Sequence, residues 1–140
     1  MMPEIQSAEA EHICSLAPVV PVLVVEDAST AADLARALVD GGLPALEVTL
    51  RTPAALDVIA EMAGVAGGTV GAGTLLTPRD VIAAKEAGAA FGVSPGATDR
   101  LMDAVEDLRA RIAPSMHMND EAEKKAARQQ LAAGYLPQWA

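Results

Sequence analysis

The chain has 140 residues, 51% of them hydrophobic and 21% charged, and a formal net charge of -9. This composition fits one globular domain with a buried core and excludes disorder as the default. The acidic balance argues against nucleic-acid or anionic-membrane partners, and 2% aromatic content argues against a base-stacking platform.

The first twelve residues, MMPEIQSAEAEH, are acidic and carry no apolar core, so they do not read as a signal peptide. The longest apolar run, Leu16 to Val25, holds two prolines and is too short to span a membrane. One cysteine, Cys14, leaves no intrachain disulfide, which fits a reducing cytoplasm. Its expected role is that of a small buried apolar side chain.

APVVPVLVV is a continuous valine-rich run and predicts a strand buried on both faces. DASTAADLARALVDGG predicts a helix, with Asp27 and Ser29 as cap candidates and Gly41 and Gly42 as its stop. PALEVTL predicts a second strand. TPAALDVIAEMAG predicts a helix capped by Thr52, with Pro53 in its first position. GGTVGAG predicts a short third strand, and TPRDVIAAKEAG repeats the Thr-Pro helix start and glycine stop. AAFGVSPG predicts a fourth strand, and TDRLMDAVEDL a fourth helix capped by Thr98.

Strand and helix thus alternate four times, the pattern of repeated βα units with parallel strands and helices outside. Polar or special residues gather at the strand C-terminal ends: Glu47 to Arg51, Thr74, and Ser94-Pro95-Gly96. Both a (β/α) barrel and a flavodoxin-like open sheet place sites there. The tail after Leu108 predicts a short strand at ARIAP and a solvated helix from about Glu121 to Ala133. Residues 1–108 therefore read as one unit and 109–140 as a divergent, mostly helical tail.

Glu47 and Arg51 interrupt an otherwise apolar segment. Their spacing suits a catalytic carboxylate beside an anion-binding guanidinium, and equally a buried ion pair or a solvent-facing strand end. Apolar neighbours such as Leu46 and Val48 would raise the pKa of Glu47. Gly71 and Gly73, flanking Ala72, would let backbone approach a ligand closely. Thr74 is a candidate anion contact or a helix-cap or turn hydroxyl, and Pro95 a pocket wall or a strand terminator. His12 and His117 lack spaced carboxylates, so no metal site is expected.

Taken together, PVVPVLVV, ALVDGGLPALEVTLRTPAAL, VGAGTL and GVSPG, in this order and spacing, resemble the aldolases of 2-keto-3-deoxy-6-phosphogluconate (KDPG) and 4-hydroxy-2-oxoglutarate (KHG). The resemblance runs from about Ile13 to Leu108. It implies an α/β fold, here four βα units of a (β/α)8 TIM barrel, that is, a half-barrel with a C-terminal helical tail. It also implies a cytoplasmic, usually trimeric homo-oligomer and a class I Schiff-base lyase that needs no cofactor and acts on a small keto acid. By position, Glu47 corresponds to the general acid/base. Arg51 and Thr74 correspond to substrate-carboxylate contacts, and Pro95 to a pocket-lining residue. The family's Schiff-base lysine belongs to a sixth-strand stretch resembling Lys-Phe-Phe-Pro, and no such stretch occurs here. The lysines present are Lys85, Lys124 and Lys125. The expectation is a chain inactive alone, with a self-associating half-barrel as the alternative and a thiamine-phosphate-synthase relative as a third.

Overall fold

A computed structural model describes residues 3–112, with side chains described for 8–107. The predicted tail helix, His117, Lys124 and Lys125 lie outside the described residues. The elements are α1 (Pro3–Ser15), β1 (Val22–Leu23), a 3-10 turn (Ala28–Thr30), α2 (Ala31–Asp40), β2 (Ala45–Thr49), α3 (Ala55–Ala63), β3 (Thr69–Gly73), α4 (Pro78–Glu86), β4 (Phe91–Gly92) and α5 (Asp99–Ile112). The strands form one parallel sheet in the order β1-β2-β3-β4. Sequential order is that of a (β/α) barrel; a flavodoxin-like sheet reorders its first strands.

The pleat sorts the strand residues into two layers. Leu46, Val48, Val70 and Ala72 face the helices and are buried against Ala31, Ala35, Val58, Ile59 and Met62. Small residues at 31, 35 and 55 let α2 and α3 pack close to the sheet. Glu47, Thr49, Gly71 and Gly73 belong to the other face.

Local chemistry sets several boundaries. Ser29 N–H donates to Asp27 Oδ1 at 2.9 Å, so Asp27 caps the 3-10 turn leading into α2. Hydrogen bonding from the Ser29 side chain, and then from this N–H, holds the Asp27 carboxyl below its ordinary range. Thr77 caps α4 in a reciprocal box with Asp80, and Pro78 follows at the first turn. Leu101 N–H donates to Thr98 Oγ1 at 3.2 Å, as expected for the start of α5.

Four expectations are corrected, and one element was not foreseen. Thr52 is not a side-chain cap: its hydroxyl donates to Val25 O at 2.9 Å, and α3 starts after Ala54 without such a bond. With Thr49 Oγ1 donating to Leu23 O at 3.2 Å, the two threonines fasten the end of β1 to the β2 segment. β1 is not buried on both faces, since Val22 and Val24 are 61% and 55% exposed. It is an edge strand, and Pro18 and Pro21 have no N–H for a longer ladder. Residues 110–112 of the predicted ARIAP strand are helical instead, because α5 continues through Ile112, and Ala113 and Pro114 lie outside the described residues. Cys14 is exposed, not buried. Finally, α1 was not predicted: Pro3–Ser15 has almost no apolar periodicity, and Ala10 is its only fully buried side chain among those described.

Candidate functional site

The inner face of the sheet carries the site. Register pairs Val22 with Glu47, Glu47 with Gly71, and Gly71 with Phe91, one row across all four strands. Thr49 pairs with Gly73 one step further along. Side chains in strands lean along the strand direction, and here the glycines are the receiving sites. A Cβ at Gly71 would run into the Phe91 ring. A Cβ at Gly73 would lie 2.9 Å from Glu47 Cδ and 3.0 Å from Cγ, and closer still to a carboxyl oxygen. The two glycines therefore make room for protein side chains, a ring and a carboxyl group. This corrects the expectation that they clear space for ligand backbone contact. Glu47 sits mid-strand, but its carboxyl reaches over Gly73 to the strand C-terminal end.

A cavity of about 250 Å³ opens on this face. Glu47, Arg51, Thr74 and Pro95 all line it, with Thr49, Val20, Val22, Phe91 and Val93 as further wall and Ala10, Ile13 and Cys14 contributed by α1. The sequence picked out the first four; it missed Phe91, the chain's only phenylalanine, and the α1 wall. Sequence position after a strand was the signal for Pro95. No comparable local signal marks Phe91, whose role depends on pairing with a glycine twenty residues earlier.

Burial pushes the Glu47 carboxyl above the ordinary carboxylate range, and the Arg51 guanidinium pulls it partly back. The direction agrees with expectation, but the cause differs. Leu46 and Val48 point into the helix layer, so the desolvation comes from the cavity wall and the sheet beneath. Glu47 and Arg51 form no ion pair. Arg51 is exposed, in the turn after β2, and leaves the cavity mouth charged. Thr74 is not a helix cap, since Thr77 has that role. It adopts a φ of 63°, left-handed and unusual for a β-branched residue, at a cost of about 1–3 kcal/mol.

The raised Glu47 pKa has a consequence for stability. A carboxyl whose folded pKa exceeds its unfolded value binds its proton more tightly in the fold. Stability is then greatest at low pH and declines as pH rises from the unfolded pKa through the folded one. Glu47→Gln removes this loss. Urea denaturation is expected to show the variant more stable than the parent at pH 7, with the gap closing as pH falls below the ordinary value of 4.5.

Lys85 is exposed in the last turn of α4 and does not line the cavity. Among the described residues no three His, Cys, Asp or Glu side chains gather as a metal site, and no helix is long and apolar enough to cross a membrane.

Comparison with known proteins gives the same direction throughout. A model of the family "Aldolase: KDPG and KHG aldolase" matches residues 10–128, beyond the Leu108 limit of the sequence resemblance. The 2-dehydro-3-deoxy-phosphogluconate aldolase of Zymomonas mobilis is 47% identical over 108 residues, 77% of this chain and 52% of that protein. A crystal structure of the Z. mobilis ZM4 aldolase with 3-phosphoglycerate aligns at TM-score 0.69 and 48% identity, covering 72% of this chain and 48% of the other. The KDPG aldolase of Legionella pneumophila aligns at TM-score 0.64 and 29% identity, covering 93% and 72%. The chain spans about half the length of the curated relatives it matches, and its four parallel strands and helices correspond to part of their TIM-barrel-type fold. By its fold, its motifs and the length of the match, the chain belongs to the KDPG and KHG aldolase family.

Proposed function

We propose that the cavity is the keto-acid-binding and proton-transfer part of a class I aldolase site. The reaction is retro-aldol cleavage of 2-keto-3-deoxy-6-phosphogluconate or 4-hydroxy-2-oxoglutarate to pyruvate plus glyceraldehyde 3-phosphate or glyoxylate. The observation that carries this reading is the convergence of Glu47, Arg51, Thr74 and Pro95 on one cavity, with a carboxyl group held partly out of water. The L. pneumophila relative holds pyruvate as a covalent carbinolamine intermediate, which supports a 2-oxo acid as the ligand class.

In this reading Glu47 removes the proton of the departing hydroxyl and later returns one to the enamine carbon. A raised pKa poises one group for both transfers. Arg51 grips the substrate carboxylate with two parallel N–H donors, and Thr74 adds its hydroxyl. Pro95 shapes the wall without offering a donor. The 1–108 unit supplies all four. The fifth component, a lysine amine with a lowered pKa, has no counterpart among the described residues that line the cavity. In this reading the isolated chain binds a keto acid without cleaving it, and its single cysteine fits a reducing cytoplasm.

A second reading is favoured by the exposed side chains of Val19, Val22 and Val24 in and around the edge strand β1, of which Val22 also walls the cavity. It makes the chain a self-associating half-barrel whose open strands pair with another copy. Borohydride treatment with pyruvate, read by intact mass, separates the readings. The expected result is no adduct and no measurable cleavage. A species larger than the monomer by light scattering then supports assembly. An adduct on Lys124 or Lys125, with a cleavage rate lost in Glu47→Gln, would overturn the assignment of inactivity.

A further inference from the structure

Thr74 is the one non-glycine residue with positive φ among those described, at 63°. In that region the branched Cβ crowds the following carbonyl, so the conformation persists only where neighbours impose it. Here the neighbours impose it through Leu75. Leu75 N–H donates to Val93 O at 3.0 Å. Leu75 O accepts from Ser94 Oγ at 2.7 Å. The Leu75 side chain is buried over Gly92, where a Cβ would strike its Cδ1. The residue after Thr74 is thus held at both ends of its backbone and by its side chain.

Ser94 is the member of this clamp that joins two loops. It is 8% exposed and does not line the cavity. Its one proton is shared between Leu75 O and Gly96 O, 2.7 and 2.6 Å away, and its oxygen accepts from Gly96 N–H at 3.3 Å. One hydroxyl therefore ties the β3–α4 turn, which carries Thr74, to the β4–α5 turn, which carries Pro95. Meanwhile the Thr74 hydroxyl makes no hydrogen bond among the described residues, although it borders the cavity.

We propose that Ser94 is a positioning residue: acting through Leu75, it locks Thr74 in the left-handed conformation that presents an uncommitted hydroxyl to an anionic oxo-acid ligand. The ligand half of this statement rests on the function proposed above; the clamp does not. Two measurements on the full chain keep them apart. The first is a double-mutant cycle in urea midpoints for Thr74→Gly and Ser94→Ala. Glycine at 74 releases the strain and is expected to raise the midpoint when Ser94 is present. The gain is expected to shrink when Ser94 is replaced, because the turn has already relaxed. Additive shifts overturn the clamp.

The second is pyruvate affinity by NMR titration. Thr74→Ala and Ser94→Ala are each expected to weaken binding about tenfold, and Ser94→Thr to recover most of it. A Ser94→Ala variant that binds as tightly as the parent while Thr74→Ala does not overturns the positioning role. If the parent binds no pyruvate, the ligand role fails, and the cycle still decides the clamp.

Discussion

Gly73→Ala is expected to expel the Glu47 carboxyl from its place on the sheet. The added methyl would sit within 3.0 Å of both Glu47 Cγ and Cδ, too close for any adjustment short of a new side-chain rotamer. Gly73 lies in regular strand backbone, with no positive φ, so the substitution strains no dihedral. The effect therefore travels through the side chain. Because the clash falls on the end of a flexible side chain that can swing toward water, stability in urea should change little. The sharper readout is the titration of Glu47. Its pKa is raised because the carboxyl is partly desolvated. Once displaced into water the group should titrate near its ordinary value, and carboxyl NMR would record the fall. An unshifted titration in a folded Gly73→Ala protein would mean that contact with the sheet does not set the environment of Glu47.

Arg51→Met is expected to weaken pyruvate binding by about ten- to a hundredfold, the range for losing hydrogen bonds to a charged group. Arg51 is exposed and forms no ion pair with Glu47. Stability should change little. Removing the guanidinium also removes the attraction that lowers the Glu47 pKa, which should rise further. A variant that binds pyruvate as well as the parent would place the carboxylate contact elsewhere in the cavity.

The sequence carried much of this arrangement for identifiable reasons. Thr77-Pro78 is a local helix-start signal, and it formed as read, while the Asp80 half of its capping box emerged only in the fold. Valine-rich runs separated by helical periodicity required parallel strands, because no short turn connects them. Glu47 stood out since a carboxylate in an apolar strand needs a reason. The features that escaped are those fixed by distant partners. Thr52 looks like a cap locally, yet Val25 O, twenty-seven residues back, claims its hydroxyl. Ser94 reads as a turn residue until Leu75 O, nineteen residues away, is found beside it. Gly71 and Gly73 signal close approach, but only strand register says that the visitors are Phe91 and Glu47. The helix α1 has no apolar stripe to announce it, and β1 is valine-rich on a face that the described residues leave exposed.

The central claim is that the inner face around Glu47 is a pocket for a small 2-oxo acid, and titration of isotopically labelled protein with pyruvate tests it most directly. The account predicts saturable amide shifts concentrated at Gly71, Gly73, Thr74 and Leu75, with the Arg51 side chain moving in step. Shifts confined to the outer helices, or none at these positions up to tens of millimolar pyruvate, would contradict it.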